Sequence, residues 1–361
     1  MPPAGTSLEM SSVMTAIPET TRQAILQKGA DGRYIWRVVQ APVATVGDHQ
    51  VLVHVRAASL QNGDLGVLDG LSLSAESGAD RSGQIVCSDA AGDIVAKGPL
   101  VTSLQLGDRV TSLFFENYVD SPLTLEKQAR QHGYTVNGVL GDYVLLEETG
   151  VAPIPDGFSY EEAATLPSSA ITAWMATVGG GHVPAGGTVL VEGAGGVSIF
   201  ALQISKAFGA RVIITSSSDD KLQRALALGA AAGVNYKTET DWSARVLKLT
   251  DGHGADLVVD MGGKSTIEQS MKSLAYQGTV ALVGGMGGYD AAVSSMDLIL
   301  KAARACGVCG GSRADFLRMC EYLRHHQIRP LIDRIYPLDE LDAALADLRS
   351  GVVMGKLVIR L

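Results

Sequence analysis

The sequence of 361 residues is poor in charged and aromatic side chains, which make up 19% and 5% of it. It has only four cysteines, and its formal net charge is −9. Nucleic acids and anionic membrane surfaces both demand a basic face, so this balance of charge excludes them as expected partners. No apolar run approaches the roughly 18 residues that a membrane-spanning helix needs.

The first 21 residues contain no lysine, no arginine and no continuous apolar block. They therefore resemble neither a signal peptide nor a transit peptide. We expect residues 1–21 to be a flexible tail and the protein to be cytoplasmic.

The cysteines are too few for a disulfide scaffold, but Cys306 and Cys309 form a C-x-x-C pair. Such a pair is either a redox or metal site or two small residues in a strand. The second interpretation is favoured, because no further C-x-x-C lies nearby. In addition, residues i and i+3 of a strand point to opposite faces.

Residues 23–150 have the pattern of a β domain. Polar and apolar residues alternate over 51–56, and short strands are expected at 83–87, 92–96, 107–111 and 141–146. Turn residues recur every 8–12 positions, as a barrel-like domain requires.

From about residue 160 the rhythm changes, and apolar strands alternate with helices. Strands are predicted at 188–192, 211–215, 233–236, 256–260 and 278–283, with helices at 197–208 and 221–228. This alternation predicts a parallel sheet covered on both faces. Leucines at helical spacing then predict one helix over 337–350, and a last strand over 355–361 completes the first domain.

A glycine-rich turn joins the first of these strands to its helix. Gly193 permits the tight turn, and Gly195 lets the backbone approach a pyrophosphate. Gly196 and Val197 begin a helix whose free N–H groups and dipole attract the anion. Ser198 takes the third glycine position of the dinucleotide fingerprint, where a small residue still allows close packing.

The end of the second strand lacks the acidic residue that binds the ribose 2′-hydroxyl of NAD. Ser216 and Ser217 stand there instead, followed by Lys221 and Arg224. Hydroxyls and cations suit a 2′-phosphate, so NADPH is the expected cofactor and NADH is the less favoured one. We expect Asp219 and Asp220 to serve as helix N-caps.

Several runs together resemble the medium-chain dehydrogenase/reductase superfamily, and most closely its zinc-less quinone and enoyl reductase branch. The resemblance covers residues 22–361. It is carried by Gly107-Asp-Arg-Val, Glu162-Ala-Ala-Thr-Leu-Pro, Ile171-Thr-Ala-Trp, the 193–198 turn, Leu228-Gly-Ala, Val234-Asn-Tyr, Gly310-Gly-Ser-Arg and Gly355-Lys356. It implies an α/β protein with a GroES-like β-barrel catalytic domain (22–155 and 312–361) and a doubly wound, parallel-sheet Rossmann domain (156–311).

The same resemblance assigns cofactor contacts, for some of which ordinary packing is the alternative. It places Thr172 near the nicotinamide, and Ser312 and Arg313 on the cofactor from the last Rossmann strand. The 2′-phosphate pocket is assigned to Ser216, Ser217, Lys221 and Tyr236. The walls of the cleft are assigned to Gly262, Gly263, Val283 and Gly284.

Zinc-dependent members of the superfamily use an early Cys, then His-Glu, then a second Cys or Asp. Residues 59–64 match the first of these sites but contain no cysteine, and residues 95–130 lack a structural-zinc cysteine lobe. We therefore expect no metal, and His54 and His132 are interpreted as surface or strand residues. Asn62, Tyr118 and Gln61 are candidates for the catalytic region, with pocket lining as the alternative.

The expected activity is NADPH-dependent hydride transfer to an activated C=C (an enone or enoyl group) or to a quinone, because a conjugated carbonyl spreads the charge without a metal. The alternatives are a metal-free NADP-dependent alcohol or carbonyl oxidoreductase, with natural-product biosynthesis as one role open to it, and a non-catalytic NADPH-binding protein. The partner is a small-molecule substrate. The resemblance also implies a homodimer, formed through a small-residue edge strand over 304–310.

Overall fold

The computed structural model describes residues 16–70 and 80–361. Residues 1–15, most of the segment expected to be a flexible tail, lie outside the described part. The end of that segment corrects the prediction, because Thr20 and Thr21 already belong to the first strand. No helix of the described part has the length and apolar character to cross a bilayer.

The strands are β1 (Thr20–Lys28), β2 (Tyr34–Pro42), β3 (Gln50–Leu60), β4 (Asp89–Lys97), β5 (Arg109–Ser112), β6 (Tyr143–Glu147), β7 (Val151–Pro153), β8 (Thr188–Val191), β9 (Arg211–Ser216), β10 (Ala232–Asn235), β11 (Ala255–Asp260), β12 (Leu274–Leu282), β13 (Arg304–Gly307), β14 (Ile332–Pro337) and β15 (Lys356–Arg360). The helices are α1 (Asn62–Leu68), α2 (Leu125–Gln128), α3 (Tyr160–Ala163), α4 (Ile171–Trp174), α5 (Gly196–Ala207), α6 (Asp219–Leu228), α7 (Trp242–Leu249), α8 (Ile267–Ser273), α9 (Ser295–Lys301), α10 (Arg313–His325) and α11 (Leu341–Ser350). Two π-helical turns, Leu166–Ala170 and Met175–Gly179, flank α4.

The first half of the chain and the strands β14 and β15 near its end form a mainly antiparallel sheet in the order β14-β15-β3-β4-β5-β7, with β6 also paired to β3. The long strand β3 is central because it pairs with β4, β6 and β15. Its apolar side chains, together with Ile94 and Leu357, lie in one buried cluster. The predicted β domain, completed by the last strand of the chain, is therefore observed.

The second sheet is parallel and has the order β10-β9-β8-β11-β12-β13. Its strands alternate between two cores: Val189 and Val191 face one, and Leu190 faces the other. Burial on both faces explains the near-continuous apolar runs of these strands and confirms the predicted doubly wound sheet. The strand order reverses at β8, where such sheets bind ligands at their carboxyl ends. The domain boundaries at 155 and 312 stay a prediction.

Three predicted elements differ from the structure. Residues 83–87 form no strand, since Ile85 makes only an isolated bridge and Cys87 has a φ of 67°. The last parallel strand ends at Gly307, and Gly310, with a φ of 55°, turns the chain out of the sheet. The helix predicted over 337–350 begins with a 3₁₀ turn, Leu338–Glu340, before α11.

The two sheets meet where β15 begins. The Gly355 N–H donates to the Ala194 carbonyl oxygen at 3.0 Å. The Lys356 ammonium lies 3.1 Å from Ser169 Oγ and 3.8 Å from the Asp89 carboxylate. Asp89 and Lys356 are 0% and 3% exposed. This buried ion pair therefore joins β4, the turn before α4 and the closing strand.

Replacing Lys356 by methionine should destabilise the fold, because a buried carboxylate is left without its cation. We expect a loss of about 3–5 kcal/mol in the free energy of unfolding, measured by urea denaturation near pH 7.5. The double variant K356M/D89N removes both charges and should recover most of that loss. Equal stability of K356M and the wild type would contradict the pairing.

Candidate cofactor and substrate site

The turn after β8 has the geometry of an anion site. Gly193 has a φ of 72°, and α5 begins at Gly196 with Gly195 as its N-cap. The helix has no side-chain cap and no acidic residue in its first turn, where Val197 lies. Its first N–H groups are thus presented to a ligand beyond the turn.

Packing around this turn explains two of its residues. A Cβ on Gly196 would lie 2.5 Å from Lys356 Cδ and 2.8 Å from Ser169 Oγ, so only glycine fits there. The buried Ser198 hydroxyl donates to the Glu192 carbonyl oxygen at 2.7 Å. The small residue at the third glycine position of the fingerprint thus allows α5 and β8 to lie close together, as expected.

The predicted 2′-phosphate residues lie side by side at the ends of β9 and β10. The Tyr236 N–H donates to the Ser216 carbonyl oxygen at 3.1 Å, and Ser217 follows at the strand end. Lys221 is in the first turn of α6. Asp219 and Asp220 were predicted to be the helix N-caps, but the N-cap of α6 is Ser218, whose hydroxyl accepts from the Lys221 N–H. The Asp219 carboxylate instead accepts from Asn235 Nδ2 at 2.7 Å.

The Lys221 ammonium is already bound to protein on one side. It donates to the carbonyl oxygens of Gly351 and Val353 at 2.5 and 2.8 Å. Partial burial lowers the pKa of this lysine. An ammonium has three N–H groups, so one remains available to a further acceptor.

The turns after β11 and β12 form the facing wall of the cleft. The Asp260 carbonyl oxygen accepts from the N–H groups of Val283 and Gly284 at 3.0 and 3.3 Å. A Cβ on Gly263 would lie 2.6 Å from the Gly288 carbonyl oxygen. Gly262 and Gly263 are thus held against the 283–288 segment, and their place in the cofactor cleft stays a prediction.

Ser312 and Arg313 lie at the start of α10, which corrects their placement on the last strand. Ser312 is the N-cap of α10, and its hydroxyl donates a hydrogen bond to the Asp315 carboxylate. The Arg313 N–H donates to the Tyr118 carbonyl oxygen at 2.8 Å, and its Nε donates to the Val151 carbonyl oxygen at 3.0 Å. The structure therefore brings Ser312 and Arg313 to Tyr118.

Thr172 lies in α4, which packs against α5. A Cβ on Gly311 would be 2.8 Å from Ile171 Cδ1, so the segment before α10 also contacts this helix. Thr172 is accordingly near both the glycine-rich turn and Ser312.

A buried polar cluster lies at the end of β3. Gln61 Nε2 donates to Ser88 Oγ at 2.8 Å, and the Ser88 hydroxyl donates to Asp89 Oδ1 at 2.6 Å. Ser168, in the turn before α4, donates to the other oxygen of Asp89. Asn62 follows Gln61 as the exposed first residue of α1.

Two carboxyl groups in this region have raised pKa values. Burial raises the pKa of Asp64 to about 7, against the hydrogen bond it accepts from the Gln61 N–H. Burial also raises the pKa of Asp89, and the nearby Lys356 charge opposes that rise. The cluster is thus a hydrogen-bonded group of side chains in a low-dielectric environment beside Asn62.

The side chains of this cluster are the amide of Gln61, the hydroxyls of Ser88 and Ser168 and the carboxylate of Asp89, and Gln61 belongs to the 59–64 segment that matches the first zinc site. Amide and hydroxyl groups are not the ligands that zinc prefers. Within the described ranges, no three His, Cys, Asp or Glu side chains are grouped to hold a metal ion. The donor set present does not fit a catalytic zinc.

His54 and His132 lie in different environments. His54 is a strand residue that stacks on Tyr143, as expected. His132, interpreted from the sequence as a surface or strand residue, is buried, with Nδ1 2.7 Å from the Leu113 carbonyl oxygen. Burial lowers its pKa. Its position depends on a loop that folds inward, which no local pattern indicates.

A row of aromatic rings joins the two catalytic candidates. Centroids are 5.2 Å apart for Tyr134 and Phe114, 4.9 Å for Phe114 and Phe115, and 5.7 Å for Phe115 and Tyr118. A Cβ on Gly63 would overlap the Tyr134 hydroxyl, so that tyrosine lies against the start of α1. Asn62 and Tyr118 are therefore at opposite ends of one aromatic wall.

The sequence analysis missed several residues of the site: Tyr134, Ser88, Asp89, Ser168, Lys356, Glu192 and Asp260. Ser88-Asp89 carried a signal, because this polar pair stands between the apolar runs 85–87 and 90–91. Glu192 also carried one, as an acid at the end of an otherwise apolar strand. Tyr134 had no signal in the sequence.

The comparisons with known proteins agree with this architecture. Residues 47–156 match the family described as the alcohol dehydrogenase GroES-like domain, and residues 196–324 match the zinc-binding dehydrogenase family. A zinc-type alcohol dehydrogenase-like protein of Schizosaccharomyces pombe is 35% identical over 86% of this chain and 91% of its own length. A second such protein, from Leptosphaeria maculans, is 31% identical over 92% of this chain and 98% of its own.

Among solved structures, a candidate alcohol dehydrogenase from Sinorhizobium meliloti has a TM-score of 0.88 and 35% identity, covering 96% of this chain and 100% of its own. A 2-octenoyl-CoA carboxylase reductase and a quinone oxidoreductase from Coxiella burnetii, at 22% and 24% identity, share the fold. Together, the two family matches and the relatives above 30% identity show that this chain belongs to the medium-chain dehydrogenase/reductase superfamily of nicotinamide-dinucleotide-dependent oxidoreductases.

Proposed function

We propose that this protein is an NADPH-dependent, zinc-independent reductase that transfers hydride to an activated C=C or to a quinone. The observation that carries the proposal is the hydrogen bond between Gln61 and Ser88. Gln61 lies in the 59–64 segment, which matches the first zinc site of the superfamily but has no cysteine, and its amide is already bound to the Ser88 hydroxyl. A site without a Lewis acid suits an acceptor whose negative charge is delocalised over a conjugated carbonyl.

The proposed cofactor site uses the residues gathered at the switch point of the parallel sheet. The 193–197 turn binds the pyrophosphate, and Ser216, Ser217, Lys221 and Tyr236 bind the 2′-phosphate. Thr172 and Ser312 lie toward the nicotinamide. When bound, the cofactor supplies the hydride, and the protein orients it and excludes water.

The acceptor is proposed to lie between Asn62 and Tyr118, along the aromatic wall. There the Asn62 amide donates a hydrogen bond to the carbonyl oxygen that gains charge, and the Tyr118 hydroxyl supplies the proton. Tyr134, lying against the start of α1, is a second hydroxyl at the same wall. Burial holds its pKa well above the usual value, so it stays a hydrogen-bond donor.

A metal-free alcohol or carbonyl oxidoreductase is the second candidate function. It is favoured by the relatives at 31% and 35% identity, both described as zinc-type alcohol dehydrogenase-like proteins. A non-catalytic NADPH-binding protein is the third candidate. Substrate turnover separates all three.

Protein dialysed against a chelator should oxidise NADPH with an enone, an enoyl thioester or a quinone as acceptor. Metal analysis should find no stoichiometric zinc, because the cluster around Gln61 offers amide and hydroxyl groups. Turnover of simple alcohols with NADP⁺ would favour the second candidate, and NADPH binding without any turnover would favour the third. Activity that disappears with one zinc per chain would refute zinc independence.

Lys221→Ala should raise KM for NADPH and change KM for NADH little. A charge-assisted hydrogen bond to phosphate contributes about 1.5–3 kcal/mol, or roughly a tenfold to hundredfold change in affinity. Lys237→Ala removes the charge of a lysine just beyond β10. It is the matched control and should leave the KM values for NADPH and NADH unchanged. Equal losses with both cofactors would show that Lys221 acts through its bonds to Gly351 and Val353, not through the phosphate.

We also propose a homodimer formed through β13. This strand is the last of its sheet, its one partner among the described residues is β12, and three of its four residues are exposed. The preceding helix α9 exposes Met296, Ile299 and Leu300 by 60%, 71% and 67%. An unpaired strand edge beside an apolar helix invites a second copy. Pairing about a two-fold axis would cover both.

Light scattering at micromolar concentration should therefore give twice the 37.7 kDa mass of the chain. Ile299→Asp, which places a charge on the apolar face of α9, should shift the protein toward the monomer. A wild-type monomer whose Cys306 and Cys309 both react freely with thiol reagents would defeat this proposal.

A further inference from the structure

Two buried carboxyl groups face each other directly behind the glycine-rich turn. Glu192 is the residue between β8 and Gly193, and Asp260 is the last residue of β11. Their side chains are almost fully shielded from water, with exposures of 3% and 0% for the residues. Neither has a lysine or arginine partner among the ion pairs of the described residues. Their charges must therefore be balanced in another way.

The bridge between them is one hydroxyl group. Ser270 Oγ, on α8, lies 2.5 Å from Glu192 Oε1 and 2.7 Å from Asp260 Oδ2. A serine hydroxyl has a single hydrogen and donates to only one of these oxygens. The other short contact therefore needs a proton from a carboxyl group, because two ionised oxygens would leave it repulsive.

The remaining hydrogen bonds identify which carboxyl group carries that proton. Asp260 also accepts from the Gly263 N–H at 2.8 Å and from Thr266 Oγ1 at 3.0 Å. Glu192 Oε2 accepts the N–H groups of Met261 and Gly262 at 3.0 and 3.3 Å, whereas Oε1 meets only Ser270. The proton thus belongs on Glu192 Oε1, which donates to Ser270, which donates to Asp260.

We propose that Glu192 is a positioning residue that, as a neutral carboxylic acid, fastens the glycine-rich turn to the loop after β11. Its main-chain carbonyl receives the Ser198 hydroxyl, and its side chain receives the N–H groups of Met261 and Gly262. One residue therefore sets the distance between the two walls of the cleft. The inference rests on the proposed cofactor site only for its effect on cofactor binding.

Ionising Glu192 would place two negative charges on one serine hydroxyl. Burial, with a further contribution from Asp260, raises the pKa of Glu192 to about 8. The other charged groups on the adjacent elements are engaged elsewhere. Lys264 pairs with Asp290, and Glu268 pairs with Lys272. Asp219 accepts a hydrogen bond from the Asn235 side-chain amide. Lys206 and Arg211 donate to the carbonyl oxygens of Leu228 and Leu249, respectively. Asp260 is accordingly the charge that Glu192 meets.

The sign of the pH dependence follows from the raised pKa. Stability that depends on neutral Glu192 is fully present at acidic pH and is lost as pH rises toward 8. Glu192→Gln cannot ionise, and its amide both donates to Ser270 and accepts from the two N–H groups. The variant therefore keeps the hydrogen bonds and removes the titration.

The first test uses the full chain without cofactor and measures the urea midpoint from pH 6 to 9.5. The wild type should lose stability as pH rises to about 8 and then level off, and E192Q should lack this component. Glu268→Gln, an exposed acid on the same helix as Ser270, removes one charge without touching the cluster and should keep the wild-type profile. Identical profiles for E192Q and the wild type would overturn the inference.

The second test measures the Kd of NADPH at pH 7 and 9 by nicotinamide fluorescence. If only the neutral form binds, about one tenth of the wild type is competent at pH 9, and Kd rises about tenfold. For E192Q the ratio of the two Kd values should be near one. A wild type that binds no NADPH at either pH refutes the proposed cofactor site, while the stability profile still decides the role of Glu192.

Asp260→Asn is a further variant for the case that E192Q does not fold. Without the neighbouring charge, Glu192 ionises more easily, so the stability transition should move to lower pH. An unmoved transition would also overturn the inference, because the two carboxyl groups would then not interact.

Discussion

The buried ion pair between Lys356 and Asp89 fixes the geometry on which the rest of this structure depends. An ammonium and a carboxylate that are both shielded from water are tolerated only in close contact. Lys356 is the first residue of the closing strand, and Asp89 is the first residue of β4. The alkyl chain of Lys356 lies against Gly196, so the pair also sets where α5 begins.

Two different solutions to the burial of a carboxyl group lie on the two sides of the cofactor cleft. On the barrel side, Asp89 is compensated by a cation and by the hydroxyls of Ser88 and Ser168. On the Rossmann side, Glu192 and Asp260 share one serine and have no cation among the described residues, which favours a proton as the compensating charge.

The predictions that succeeded rest on short-range rules. Apolar alternation identified β3, and apolar runs between helices identified the parallel strands. Gly193, where a tight turn was expected, has a φ of 72°. The failures arose where a distant contact decides. The Cys87 backbone has a positive φ within a loop interleaved with Gly133 and Gly138, so residues 83–87 form no strand. His132 is buried because its loop folds under Leu113.

The sequence by itself determined the two-domain α/β architecture and the glycine-rich turn, since both follow from residue type and spacing, and it showed that segments 59–64 and 95–130 contain no cysteine. Only the tertiary structure decided that Gln61, Ser88 and Ser168 meet around Asp89, and that Ser270 links Glu192 to Asp260. These contacts join residues far apart in the chain, at distances where hydrogen-bond geometry determines charge state. Residue spacing carries no information on that geometry, so protonation in the cleft is a property of the folded chain.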